Sequence, residues 1–384
     1  MLGRLLEKSG GAKVLADALL RRFGEERAPL ALGIAALLFG FPIFFDAGLI
    51  VFLPLVFSVA RRLGGSVLLY ALPVAASFSV MHALVPPHPG PVAASGLIGA
   101  DVGLVIIFGL LIGIPTWFVS GYLFGRWAGH RFDLPVPTTL GGEEFDESGS
   151  GDGSPPPTLG TVVGILLLPL VLIFMNTGLT TLADEDVIDG EAGFVELLVL
   201  LGQTPIALLI AVIVAMLVLG WRRGRPSDEV EHVADSAIAP VASIILITGA
   251  GGMFGGVLRA SGVGEALSSS LDDLGLPVIV AAFVIAAILR VAQGSATVAL
   301  TTTGGLMAPV VESTQGLSDP DLALIVIAIA GGSIVLSHVN DSGFWLVGRF
   351  LEMDEATTLR TWTVMETLLG VTAFALAAVL SVVL

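Results

Sequence analysis

The chain has 384 residues, of which 55% are hydrophobic and 13% charged, and its mean hydropathy is +0.94. A soluble domain cannot hide that much apolar surface, so the composition predicts an all-α polytopic membrane protein. The formal net charge of −16 sits largely in connecting loops, and the absence of cysteine excludes disulfides, thiolate metal sites and thiol nucleophiles.

The first residues, MLGRLLEKSGGAKVLADALLRRFGEER, form a charged amphipathic segment without the apolar core of a cleavable signal peptide. Apolar stretches follow at 29–60, 66–81, 102–125, 158–176, 194–221, 238–258, 277–311, 322–348 and 363–384. Many of the 48 glycines and 21 prolines fall inside these stretches. A bilayer tolerates such breaks only where protein or a watery cavity covers the freed backbone. Between the third and fourth stretches, 141–157 is an acidic Gly/Ser/Pro-rich loop that opens GGEEFDESGSGDG. Acidic loops in a chain whose only lysines are Lys8 and Lys13 point to a high-salt environment.

The positive-inside bias assigns sides. Arg61 and Arg62, Arg126 and Arg131, Arg222, Arg223 and Arg225, and Arg349 and Arg360 mark cytoplasmic connections, whereas 177–193 and 312–321 carry no Lys or Arg and face outward. Stretch 29–60 then has cytoplasmic charge at both ends and must enter and return, turning at FPIFFDAG. Stretch 277–311 starts and ends outside, turning at RVAQGSATVALTTTGG, residues 290–305. Of the 17 Lys and Arg residues, only Arg259 and Arg290 lie off the cytoplasmic side.

An internal repeat agrees with these two re-entrant hairpins. MLGRLLEKSGGAKVLADAL from Met1 aligns without gaps on MFGGVLRASGVGEALSSSL from Met253, and the broken runs MHALVPPHPGP and SHVNDSGFW follow in step. The expected architecture is therefore inverted-topology repeats with two re-entrant hairpins and two broken transmembrane helices, as in secondary carriers. The first repeat spans 1–140, connecting helices and a cytoplasmic loop span 158–235, and the second repeat spans 236–384. The copy at Met253 follows a complete apolar segment, SAIAPVASIILITGAGG, with no counterpart before Met1, so the start is expected to be truncated or misassigned.

Polar clusters inside the apolar runs are the candidate sites. A carboxylate in hydrocarbon costs roughly 2.5–3.5 kcal/mol on insertion scales, so Asp46 reads as a proton-carrying or site-organising acid, with helix capping as the alternative. Gln293, Ser295, Thr297 and Thr301–Thr303 offer partners for a polyol, against the alternative of helix packing. The N–H groups at Gly294 and Ser295 suit a carboxylate. His82 and His88 lie among four prolines, with His338 in the equivalent place of the other half, and histidine titrates near neutrality. Ser337, His338, Asn340, Asp341 and Ser342 form the densest cluster. Glu366 reads as interfacial, and Arg290 either as a counter-ion for an anionic substrate or as a snorkelling side chain.

Together GRLLEKSGGA, FFDAGLIVFLPLV, HALVPPHPGP, RVAQGSATVA, SHVNDSGFWL and TWTVMETLLG resemble the gluconate permease family, proton-coupled symporters of gluconate and related sugar acids. The resemblance runs from Met1 to the C-terminus. It implies uptake of a gluconate-like hydroxy acid anion across the plasma membrane by an elevator-type motion, without enzymatic activity. The family usually carries further helices before the GRLLEKSGGA motif.

On this reading Gln293, Gly294, Ser295, Thr297, Ser337, Asn340, Ser342 and His88 bind substrate. Asp46 or Asp341, relayed by His82 or His338, takes the coupling proton. The expected partners are the anion, protons, lipid and a second copy of the chain, with no nucleic acid, cofactor or metal. Two alternatives remain: a sodium-coupled carboxylate carrier, and an intramembrane metal-dependent hydrolase using His82, His88, His338 and Asp341, although no HExxH spacing occurs.

Overall fold

The computed structural model describes residues 1–137, 156–184, 187–190, 192–235 and 276–384, with residues 249, 253, 257, 260 and 261. Among these residues every regular element is helical. The acidic loop at 141–157, but for its last two residues, lies outside the described residues. So do the leading segment at 236–252 apart from Gly249, most of the repeat copy at 253–271, and Arg259.

In chain order the helices are α1 (Leu2–Lys8), α2 (Gly11–Phe23), α3 (Ala28–Gly40), α4 (Phe45–Leu63), α5 (Leu68–Leu84) and α6 (Pro89–Ile98). There follow α7 (Val102–Thr116), α8 (Phe124–Arg131), α9 (Leu159–Asp184), α10 (Gly193–Gly202), α11 (Thr204–Ala215) and α12 (Ser227–Asp235). The last described are α13 (Val278–Gln293), α14 (Ala296–Ser313), α15 (Asp319–Gly332), α16 (Ser342–Phe350), α17 (Glu355–Thr358) and α18 (Val364–Val383). Wide π-helical turns join α7 to α8 at Trp117–Leu123 and α17 to α18 at Leu359–Thr363. Among the described residues five helical stretches are long and apolar enough to cross a membrane: Leu68–Ile98, Val102–Arg131, Leu159–Ala183, Thr204–Arg223 and Glu355–Val383. The protein is a multi-pass membrane protein.

The chain divides into two compact units, Met1–Ala18 with Asp146–Val241, and Leu19–Phe145 with Ala242–Leu384. In the first, α9 packs against α10 and α11. Gly202 comes so close to α9 that a Cβ there would lie 2.3 Å from Leu172 O, and Asn176 Nδ2 donates to Val199 O at 2.7 Å. Small residues and interhelical amide bonds join helices where apolar side chains are as content in lipid as in protein. Arg225 Nη2 donates to Lys8 O at 2.9 Å, setting a cation against the carbonyl end of α1.

The second unit is built around α15, whose residues 323–332 are all buried, as its uniformly apolar surface requires. It packs against α13, α18, α7, α14, α6 and α5. Close approach again rests on glycine: a Cβ on Gly332 would lie 2.4 Å from Phe283 O, and one on Gly370 would lie 2.4 Å from Gly331 O. Alongside, Ser77 Oγ of α5 donates to Gly33 O of α3 at 2.8 Å, and Trp117 Nε1 donates to Pro73 O at 2.9 Å.

Four interruptions in this unit fall at the polar clusters, between α3 and α4, α5 and α6, α13 and α14, and α15 and α16. Each has a local cause. Pro42 has no N–H to carry the hydrogen-bond ladder past α3, prolines at 86, 87 and 89 stop α5, and Gly294 adopts φ 81°. At 333–341 hydroxyl, amide and carboxyl side chains compete with the helical ladder for the backbone. On either side of their interruptions α3 packs on α4, and α13 on α14.

Because the Gly370 Cβ would meet backbone rather than a movable side chain, Gly370→Ala is expected to cost about 1–3 kcal/mol of stability. Thermal unfolding of the detergent-purified protein should show a lowered midpoint. Gly178→Ala, inside α9 and with nothing within 4 Å of its added methyl, should not lower it.

Candidate functional site

The interruptions in the second half close on each other. Gly294 ends α13 with its N–H on Arg290 O at 2.9 Å, and it must be glycine twice over, since its φ is 81° and a Cβ would lie 2.2 Å from Asn340 O. Asn340 Nδ2 donates back to Val291 O at 2.7 Å, occupying a carbonyl freed at the end of α13. Arg290 Nη1 donates to Gly294 O, and Arg290 Nη2 forms an ion pair with Asp341 Oδ2. Arg290 is 3% exposed and Asp341 8%. The sequence reading of Arg290 as a substrate counter-ion or a snorkelling side chain is thus corrected: its charge is already balanced inside the protein.

Asp341 is saturated. Besides Arg290 it accepts from Ser337 Oγ, and its Oδ1 caps α16 by accepting from Gly343 N at 3.1 Å. Ser337 Oγ accepts in turn from Trp362 Nε1 at 2.6 Å, and Ser337 O from Thr363 Oγ1. The wide turn at Leu359–Thr363 carries both donors.

The first-half interruptions join the same cluster. Phe44 and Phe45 open α4 on either side of it. The Phe44 ring lies 5.8 Å from that of His82 and 6.0 Å from that of His88, and Phe45 lies 5.3 Å from Trp362. The two imidazoles are 4.8 Å apart. His82 Nε2 bonds Thr297 Oγ1 at 3.0 Å, in the first turn of α14. His88, buried at the start of α6, donates from Nε2 to Gly40 O at 3.0 Å, at the carbonyl end of α3.

Four helix N-termini therefore meet, those of α4, α6, α14 and α16. Ser295 caps α14 and Asp341 caps α16, whereas α4 and α6 have no side-chain cap. The α4 end presents the N–H groups of Phe45, Asp46 and Ala47, and the α6 end, whose first and third residues are Pro89 and Pro91, presents that of Gly90, each with the positive end of its dipole.

The expected site residues divide by exposure. Asp46, Gln293, Asn340 and Ser342 are exposed; Ser295, Thr297, His82 and His338 are half-buried; His88, Gly294, Ser337 and Asp341 are buried. Asp46, in the first turn of α4, makes no ion pair or hydrogen bond among the described residues. His82 Nδ1 and His338 Nδ1 are buried without a hydrogen-bond partner among the described residues. Of the threonines, Thr301 and Thr303 donate to the carbonyls one turn back, at Thr297 and Ala299. Among the described residues no three His, Asp or Glu side chains gather to hold a metal ion.

Sequence reasoning missed Trp362 as the donor behind Ser337, and it placed Glu366 at the interface. The structure corrects the second point: Glu366 is 2% exposed and accepts from Ser79 Oγ at 2.8 Å. The TWTVME motif was visible, but not which of its polar atoms faced inward.

Residues 1–383 match the model of the GntP family permease family. The chain is 40% identical over 385 residues to the gluconate permease of Pseudomonas aeruginosa, covering 100% of this chain and 83% of that one. It is 39% identical over 370 residues to the low-affinity gluconate transporter of Escherichia coli strain K12, covering 96% and 80%. In fold it is similar to the Alcanivorax borkumensis YdaH transporter, with a TM-score of 0.63 at 16% identity over 98% of this chain and 83% of that one.

Removing one member of a buried ion pair leaves the other uncompensated, which costs about 3–5 kcal/mol. Arg290→Met should therefore sharply lower the unfolding midpoint in detergent. The double variant Arg290→Met/Asp341→Leu should recover part of the loss, measured as a non-additive double-mutant cycle.

Proposed function

The chain belongs to the GntP family of permeases, and from that membership together with the site geometry we propose that it imports gluconate or a related sugar acid by proton symport. The observation that carries this reading is the meeting of four helix N-termini, two of them uncapped, beside side chains that can bond hydroxyl groups. An aldonate has that composition: one carboxylate and a chain of hydroxyls.

In this reading 29–60 and 277–311 are re-entrant hairpins, related with their following broken helices as inverted repeats. The free N–H groups of α4 and the N–H of Gly90 in α6, with Thr297, hold the carboxylate. Gln293, Ser342 and the amide oxygen of Asn340 bond the hydroxyls. Ser337, His88, Gly294 and Ser295, which are bonded to the protein or cap its helices, act by holding these groups in place.

Asp46 is the better candidate for the coupling proton than Asp341, because Asp341 is fully engaged by Arg290, Ser337 and Gly343. A proton on Asp46 cancels the repulsion between that carboxylate and the incoming anion. It also removes the work of moving net negative charge against an inside-negative potential, about 2.3 kcal/mol per charge per 100 mV. In this reading His82, which touches Thr297, relays that proton, with His338 as the alternative relay.

The test is uptake of labelled gluconate into proteoliposomes. A proton ionophore should abolish accumulation, and replacing Na⁺ by choline should leave it intact. Asp46→Asn should lower pH-driven accumulation by about tenfold or more, the size of an ordinary coupling energy, while substrate-for-substrate exchange persists. Sodium-dependent, ionophore-insensitive uptake would overturn the proton reading. Loss of exchange with coupling retained would make Asp46 a binding residue.

A further inference from the structure

A second carboxyl lies inside the protein and makes none of the bonds that hold the four helix ends. Glu366 of α18 is 2% exposed; its Oε2 accepts from Ser79 Oγ at 2.8 Å, and its Oε1 is buried with no hydrogen-bond partner among the described residues. No ion pair reaches it among those residues. A carboxylate in such a place has neither water nor a touching cation to carry its charge, and burial of that kind is strongly unfavourable.

Of the groups facing it from its neighbours, Arg290 and Asp341 act on it electrostatically, and they are already paired with each other. Along α5 the titratable side chains are Tyr70 and His82, along Trp117–Leu123 only Tyr122, and along α13 only Arg290. α7 has none, and those of α15, Asp319 and Asp321, lie in its first turn, remote from the buried length. Arg360 stands in the wide turn before α18, and Asp341, already paired with Arg290, in the interruption before α16.

Glu366 is nevertheless connected. Ser79 and His82 are three residues apart on α5 and so lie on one face of it. His82 reaches Thr297 through Nε2 and leaves Nδ1 buried and unpartnered. A hydroxyl and an imidazole thus lie between the buried carboxyl and the helix ends.

We propose that Glu366 is a second proton-binding carboxyl of the transport cycle, exchanging its proton with the substrate site through Ser79 and His82. The carboxyl proton passes to Ser79 Oγ as the hydroxyl proton moves on to the imidazole, and the reverse transfer restores the start. No heavy-atom bond changes. The proposal rests on the proton-symport reading above and adds to it a storage site that is out of contact with the anion.

The experiment measures gluconate uptake together with proton entry, by a trapped pH-sensitive dye, in proteoliposomes of wild type, Glu366→Gln, Glu366→Asp and Ser79→Ala. Glu366→Gln, which keeps the shape and a partner for Ser79, should lower accumulation about tenfold or more and flatten the pH profile of exchange. Glu366→Asp should restore part of the pH dependence. If Glu366→Gln does not fold, Ser79→Ala should still shift the pH profile. Unchanged proton entry per gluconate and unchanged pH profiles in the folded variants would overturn this inference alone. A wild type that moves gluconate without protons would instead overturn the symport reading.

Discussion

A helix that stops inside an apolar body leaves several N–H and C=O groups without partners, and neither lipid nor aliphatic side chains can supply them. The second unit of this chain stops helices at four places and gathers the loose ends together, so that one interruption serves another. Asn340 bonds a carbonyl of α13, His88 bonds the end of α3, and Arg290 bonds the carbonyl of Gly294 while neutralising Asp341. Remove the gathering, and each break becomes a cluster of buried unsatisfied groups.

This solution has an electrostatic by-product. Helix ends brought together for their hydrogen bonds also bring together the same pole of their dipoles. In the second half the N-terminal N–H groups of α14 and α16 are partly used up by Ser295 and Asp341. In the first half those of α4 are not, and α6, with proline at its first and third positions, keeps that of Gly90, although both helices are longer than α16. The halves are therefore unequal, with a capped, ion-paired side acting as a frame and an uncapped side left able to take a negative charge.

Much of the architecture was legible because breaks in apolar runs announce themselves. Pro42, the prolines at 86, 87 and 89, Gly294 and the run from Ser337 to Ser342 all interrupt helices where composition said they would. What joins the breaks was not legible. Arg290 and Asp341 are 51 residues apart, and nothing local tells an arginine that snorkels from one that is paired. Trp362 and Glu366 were hidden for a related reason: a π-helical turn shifts the register of the helix that carries them, so the face each presents cannot be counted from a period of 3.6. Side assignment from arginines sorts loops into expected faces, but it carries no information about distances between side chains.

Exposure separates the candidates in a way that residue type does not. Ser337 and Ser342 are the same residue five positions apart, yet one is wholly buried between Trp362 and Asp341 and the other is exposed at the start of α16. Asp46 and Asp341 differ likewise, one engaged by nothing among the described residues and the other by three donors. In a medium where an unsatisfied polar group is strongly penalised, the protein's own bonds consume whichever groups its fold requires. The remainder, Asp46, Gln293, Ser342 and one ring nitrogen each of His82 and His338, are not consumed by those bonds among the described residues. These are the groups to which the proposed transport reading assigns substrate and proton.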